Sequence, residues 1–594
     1  MKKSFILSSL LILLSSTILQ AAPKLSYFLS MDEPHTHYFT VKITVSGLKQ
    51  STIDFKLPVW TPGSYLVREY ARNVEGFTAV SGKSSSLKSE KVSKNAWRVY
   101  SNNAEEVTVE YKVYAFEVSV RTPYLDASHG YVQPAAVFMY IDKQQELPST
   151  VTVKPYKDWT QISTGLSAAG KDKWTLAVPN YDILVDSPIE VGNQKIFEFT
   201  ALGIPHKVAM YGIGNYEEGK LADDMKKIVE EAGKVVGENP NKDYTFIVHN
   251  LQNGGGGLEH LNSTTLQTTR WSYENNYVGF LTLVAHEYFH LWNVKRIRPQ
   301  VLGPFDYDNE NYTHMLWVSE GFTSYYEDLI AHRAGFMDAS QFITTIANGI
   351  GSTENQPGNK VQSAAESSWD AWIKYYRPDE NSRNSTISYY TKGGVIAPML
   401  DLEIIHSTNG QKSLDDVMKF LYEEYYKKQK RGFTDTEFQQ TVEKIAGHSM
   451  DDFFRNNIYD AKTIDYNKFL GYAGLRLGEY KSNPQAAFLG ATTSFSSGKL
   501  TINGVSKGTP AYEYGLNVND EIIAIDNFRL GDDLQQWLGR KKAGDKVVFT
   551  ISRGGILQNI NVVLSSNPAI SYRIEKISNP SSQQDVVLKK WVKL

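Results

Sequence analysis

Not one of the 594 residues is cysteine. That absence excludes disulfides, thiolate metal sites and a lipid-modified cysteine, so any metal must be held by imidazole and carboxylate groups. Apolar length is short at the N-terminus: in MKKSFILSSLLILLSSTILQAAPK the run over residues 5–19 is broken by serines and falls below a membrane span. With Lys2 and Lys3 ahead of it and Ala21 and Ala22 before Pro23, it has the plan of a secretory signal peptide over residues 1–22. The expectation is an exported protein, periplasmic or secreted, with no membrane contact once the signal is removed. Positive charge is not in excess either, with 62 Lys and Arg against 65 Asp and Glu. Nothing in that balance suggests a nucleic-acid partner. No repeat of fixed period occurs, and only SGKSSSLKSEKVSK, near Ser81, is compositionally biased; it reads as a solvated hairpin loop.

What is present is core material: 41% hydrophobic and 12% aromatic residues, including 36 tyrosines. A chain of this length exceeds one hydrophobic core, and about three domains are expected. Residues 23–195 carry alternating segments such as HYFTVKITVSGL and EEVTVEYKVYAF, which predict an all-β domain. Residues 196–464 turn to long helical patterns. There FTDTEFQQTVEKIAG shows Thr434 as N-cap, Glu437 as its capping-box partner, Phe433 and Phe438 as a staple, and Gly447 as the stop. Residues 465–570 return to short strands, and 571–594 read as a C-terminal tail.

Chemistry concentrates in VAHEYFHLWNVKRIRP. On a helix, His286 and His290 are one turn apart on one face and can converge on a cation, with Glu287 beside them to take a proton from a water. Two imidazoles and one carboxylate suit zinc and leave a position open. Glu320 in LWVSEGFTSYYEDLIAH, set among aromatic and apolar neighbours, is the candidate third ligand, because a buried carboxylate needs a charge partner. His314 is its rival. Asp306, Asp308 and Glu310 in PFDYDNEN read as solvated.

The order NGGGGLEHLNST, HEYFH, EGFTSYYED and YYTKGG resembles the gluzincin aminopeptidases. WTPGSYLVREYARNV and HLWNVKRIRP make the chain most similar to the glycyl aminopeptidase family. The resemblance spans nearly the whole mature chain. It implies a multidomain α+β architecture: an N-terminal β domain, a thermolysin-like zinc peptidase domain with a helical extension, and a C-terminal PDZ-like domain. It also implies one Zn²⁺ per chain on His286, His290 and Glu320, Glu287 as general base, Tyr390 as oxyanion donor, and Glu259 as holder of the substrate's α-amino group. Tyr389, adjacent to Tyr390, is an open alternative for the oxyanion role. The family name implies peptide substrates with small N-terminal residues, Gly or Ala. Two departures from the broader aminopeptidase pattern stand out: His260 follows Glu259 where asparagine is usual, and about a dozen extra residues separate His290 from Glu320. The second departure matches the narrower family. The insert carries Lys295, Arg296 and Arg298, a basic cluster that either receives a substrate carboxylate, orients Glu320, or forms a solvated helix end.

In the last region AFLGATTS resembles the carboxylate-binding loop of a bacterial PDZ domain. Phe488, Leu489, Gly490 and Ala491 are its candidate residues, facing a peptide C-terminus or an added strand. Two rival functions remain open at this level: a zinc endopeptidase or broader aminopeptidase, and a PDZ-based peptide adaptor with a structural metal.

Overall fold

Alternation decides the first domain. In Tyr38–Ser46 the side chains of Phe39, Val41, Ile43 and Val45 are buried and those between them are not, so the strand has one core face. It lies between Lys24–Ser30 and Glu106–Tyr114 in a seven-stranded sheet. Two four-stranded sheets complete this domain, with two short helices, Pro134–Val137 and Tyr181–Val185. The computed structural model describes residues 22–592 apart from Lys83; the expected signal segment, up to residue 21, lies outside the described residues. The biased stretch near Ser81, expected as a loop, contains strands Ser85–Ser86 and Ser89–Ser93.

The second domain opens with a five-stranded sheet in the order Lys195–Ala201, Ile204–Tyr211, Tyr244–Leu251, Ser263–Thr269, Gly257–Glu259. The central pairs are parallel, and the short strand Gly257–Glu259 runs antiparallel at one edge. Helices Tyr277–Phe289, Thr323–Arg333 and Tyr389–Ser407 pack beside it. Helix Asp435–Ala446 has its capping box at Thr434 and Glu437, a left-handed Gly447, and Phe433 and Phe438 rings 5.6 Å apart.

The insert that lengthens the His290–Glu320 spacing docks on the first domain. Tyr307 enters the β-domain core, and Asp308 pairs with Lys56 at 2.9 Å while accepting from Asn95 and Tyr140. Asp308 is therefore an interdomain anchor, not the solvated carboxylate expected from PFDYDNEN.

The PDZ-like sheet runs Ala491–Ser496, Lys499–Val505, Glu521–Ile525, Lys546–Arg553, Ile556–Val563. It is bracketed by a two-stranded ribbon, Leu475–Lys481 against Ile570–Lys576. The chain then returns: residues 571–594, read as a tail, include helix Ser582–Val592, whose Val587, Leu588, Trp591 and Val592 are buried in the peptidase core. Apolar residues at this spacing bury a helix face, which a tail reading overlooks. Trp591 donates from its indole to the Tyr325 hydroxyl at 2.9 Å. Among the described residues, no helix is long and apolar enough to cross a membrane.

Candidate metal centre and active site

The helix Tyr277–Phe289 delivers His286 and His290 to one point. His286 Nε2 lies 3.6 Å and His290 Nε2 3.2 Å from the same oxygen of Glu320, Oε2. Ligand atoms about 2.0–2.1 Å from a tetrahedral zinc are separated by roughly these distances, so the trio fits that ion. Each ring is oriented from behind: His286 Nδ1 contacts Glu327, and His290 Nδ1 donates to the Asn293 carbonyl at 2.8 Å. Those contacts leave both Nε2 atoms facing inward. Asn293 in turn donates to the Val318 and Ser319 carbonyls and to Thr323, tying the histidine segment to the turn that carries Glu320.

Glu320 sits in a π-helical turn, Trp317–Phe322, which leads into helix Thr323–Arg333. Burial alone would raise its pKa, but His290 and His286 outweigh burial and hold it at about 2. For His286 and His290 burial opposes protonation, yet Glu327 and Glu320, respectively, keep the two rings above the ordinary imidazole value. His314, the rival ligand, is remote from this cluster: its ring stacks on Trp369 and lies 3.7 Å from Asp435.

Glu287 is buried, and its Oε2 has no hydrogen-bond partner. Burial pushes it up to about 7; the two histidines pull the other way, and Glu259 and Glu320 add to the rise. Gly257 on the edge strand makes room for it, since a Cβ there would stand 2.5 Å from the Glu287 side chain. Glu259, Glu287 and His290 offer ligand atoms within 4.8 Å of one another, so Glu259 borders the metal site. Its Oε1 is buried without a partner. His260 points elsewhere: its Nδ1 meets Asp186 at 3.0 Å, and Asp186 also binds Lys295 at 2.7 Å and the Leu261 N–H at 2.9 Å. The histidine at the usual asparagine position thus pins the loop after Glu259.

Tyr389 and Tyr390 begin the helix Tyr389–Ser407. Tyr390 is half-buried, and its ring lies 6.4 Å from that of His286, nearly parallel to it. Tyr389 is fully buried, with a hydroxyl that lacks a partner. Both phenols are raised well above their usual range, by burial first; after burial, Glu320 contributes most for Tyr390 and Tyr376 for Tyr389. The glycines of YTKGG lie inside the helix rather than in a turn ahead of it. A Cβ on Gly393 would stand 2.5 Å from the Trp317 carbonyl and 2.8 Å from Gly321 Cα, so the helix lies flush on the π-turn.

The basic insert divides. Lys295 is paired with Asp186, and Arg296 donates to the Leu261 and Leu291 carbonyls and to Asn241. Arg298 instead lines a cavity of about 280 Å³ that reaches Glu259 and is walled by Trp60, Gly63, Tyr65 and Phe305.

Several partners escape sequence reading. Glu327 lies seven residues beyond Glu320, two turns along the same face, and that spacing could have flagged it. Tyr65, from the β domain, is close enough to Glu320 and Glu259 for both to add to the burial that raises its phenol. His129 and Glu190 of the β domain meet His249 of the peptidase sheet, with His129 Nδ1 2.7 Å from Glu190 Oε1 and His249 Nε2 2.9 Å from Oε2. Each carboxylate oxygen takes a different ring at hydrogen-bond length, which describes an interdomain clasp. In the PDZ-like domain, Leu489 is a core residue, and Phe488 pairs with Ser565. Position 490 calls for glycine twice over, since its backbone is left-handed and a Cβ would overlap Thr509. Among the described residues, the N–H groups of Leu489 and Gly490 meet no backbone acceptor.

The family model described as Peptidase M61 N-terminal domain matches residues 26–193, that described as M61 glycyl aminopeptidase matches 279–396, and a PDZ domain model matches 487–564. Among solved structures, an aminopeptidase N family protein from Idiomarina loihiensis is 30% identical; the match covers 96% of this chain and 100% of that chain with a TM-score of 0.88. An M1 zinc metallopeptidase from Deinococcus radiodurans is 14% identical over 75% of this chain and 96% of its own, with a TM-score of 0.46. Yeast LTA4 hydrolase in complex with bestatin is 13% identical over 76% and 72%, with a TM-score of 0.47. Among curated proteins there is no match.

Proposed function

Because the chain belongs to the M61 glycyl aminopeptidase family and is a zinc aminopeptidase, we propose that it holds one zinc ion on His286, His290 and Glu320 and releases small N-terminal residues from peptides after export. Zinc bound there supplies Lewis acidity toward a water and a peptide carbonyl. The observation that carries the reading is the convergence of both Nε2 atoms on one Glu320 oxygen, with Glu287 and Glu259 alongside.

The chain's own residues divide the remaining work. Glu287, buried beside the two histidines with an unpaired oxygen, accepts the proton of the attacking water and can return it to the leaving amine. Tyr390, beside His286, donates from its hydroxyl to the developing oxyanion. Glu259 offers an unpaired buried oxygen to the α-ammonium, a group that only an N-terminal residue has. The glycines before it let the substrate backbone approach the edge strand. The PDZ-like loop is proposed to take a peptide C-terminus at the N–H groups of Leu489 and Gly490. Export rests on the N-terminal pattern of Lys2, Lys3 and the apolar run.

The test compares Gly, Ala and Leu substrates with and without an N-acetyl cap, at measured zinc content. Leucine is included because the cavity beside Glu259 has room for more than a methyl group. Capping leaves Glu259 buried without its ammonium, so free substrates are expected to be cut and capped ones spared. Efficient internal cleavage of capped peptides would replace this reading with an endopeptidase.

A further inference from the structure

One cation beside the proposed substrate strand has no ion-pair partner among the described residues. Arg121 belongs to the β domain, yet its Nη2 reaches the carbonyl of Gly257 on the peptidase edge strand at 3.4 Å. Its Nε is buried without an acceptor, and among the described residues no carboxylate lies within ion-pair distance of it. Burial works against its charge, but Tyr376, Tyr390, Glu287 and Glu259 outweigh burial and keep the guanidinium above its ordinary value without pairing with it. A guanidinium drawn into a site without a paired anion is costly unless a ligand completes it.

Next to it lies a cleft of about 290 Å³ walled by Arg68, Arg72, Arg377, Glu117, Thr122 and Tyr376. Thr122 follows Arg121 in the chain, and the Tyr376 hydroxyl donates to the Gly63 carbonyl at 3.4 Å, so the cleft adjoins the active-site side of the β domain. Among the described residues that line it, Glu117 is the only carboxylate. Arg68 donates to Ser64 and Arg377 to the Val67 carbonyl, and Arg68 Nε is buried without an acceptor. This excess of positive charge stands against a chain whose formal charge is −3.

We propose that Arg121, with the arginine cleft behind it, binds a carboxylate on the leaving side of short peptides. This rests on the aminopeptidase reading, with the ammonium at Glu259. From Glu259 back to Gly257 the strand spans two residues, about 7 Å. An extended dipeptide spans about the same. With its ammonium at Glu259 and its scissile carbonyl at the metal, a dipeptide places its α-carboxylate beside Arg121. Longer peptides carry their carboxylate on into the arginine cleft. Guanidinium suits this task because it can donate two parallel hydrogen bonds to one carboxylate.

The experiment measures kcat/KM for Ala-Ala, its C-terminal amide, Ala-Glu amide and alanine anilide on the zinc-loaded enzyme. Ala-Ala is expected to exceed its amide by about tenfold or more, mainly through KM, the size of a hydrogen bond to a charged group. In Arg121→Gln that acid-to-amide ratio falls toward one, and Arg121→Lys retains part of it. Ala-Glu amide matching Ala-Ala assigns the site to side-chain carboxylates as well; matching plain amide assigns it to the α-carboxylate alone, and both support a carboxylate site. Equal wild-type rates for acid and amide overturn the proposal without needing any variant, as does an unchanged ratio in zinc-loaded Arg121→Gln. Anilide turnover without acid-to-amide discrimination sinks this inference alone. No turnover of anilide, acid or amide removes the aminopeptidase reading with it.

Discussion

Glu287 is a carboxylate whose second oxygen the protein leaves unpaired beside the metal site. It is not among the three groups that converge, so Glu287→Gln is expected to keep about one zinc per chain while kcat falls by about 10²–10⁴. Zinc analysis beside turnover checks this; an active amide variant would end the general-base assignment. The two tyrosines separate in the same way. Tyr390→Phe removes a donor used in the transition state, and kcat should fall by about 10²–10³ with KM little changed. Tyr389→Phe removes a buried hydroxyl that has no partner, so it should leave the melting temperature unchanged or raise it. Normal kcat in Tyr390→Phe with a loss in Tyr389→Phe would exchange the roles. His286, Glu287 and His290 are legible in the sequence because helix geometry is local, and Glu320 because its neighbours are apolar. Arg121 and Tyr65 are not: they come from another domain, and no local period announces a side chain that crosses an interface.

At the scale of elements, Gly393 shows where local propensity misleads. Inside the helix Tyr389–Ser407, alanine should be better than glycine by about 1 kcal/mol. The Cβ would meet the Trp317 carbonyl at 2.5 Å and Gly321 Cα at 2.8 Å, both backbone atoms that a rotamer change cannot move. Overpacking of this kind costs about 1–3 kcal/mol, so the steric effect wins. Gly393→Ala should lower the melting temperature and, by shifting Tyr390 away from the π-turn that holds Glu320, lower kcat. A raised melting temperature would show that the two elements have room to part. Nothing local in YTKGG announces this constraint, because the contact of Gly393 with Gly321, some 70 residues earlier, is tertiary. Helix Asp435–Ala446 was the opposite case: its cap, staple and stop all lie within one segment, so its bounds could be read directly.

The PDZ-like sheet is inserted into the peptidase through a ribbon, with the chain returning to the peptidase core. Reading along the sequence suggests three units in series, because a return by a single helix leaves no compositional boundary. The difference can be tested with two deletions. Removing residues 487–564 and joining the ribbon strands by a short flexible loop leaves helix Ser582–Val592 in place, and zinc content and anilide turnover are expected to persist. Ending the chain at residue 465 also removes helix Tyr466–Tyr472 and the buried Val587, Leu588, Trp591 and Val592. Each buried side chain of this type contributes about 1.5–3 kcal/mol. Four of them approach the net stability of a domain, about 5–15 kcal/mol. The truncated chain should therefore lose its cooperative thermal transition and its zinc together, although it retains His286, Glu287, His290, Glu320 and Tyr390. A truncated chain that melts cooperatively and hydrolyses anilide would mean that the C-terminal helix decorates the peptidase core and does not help build it.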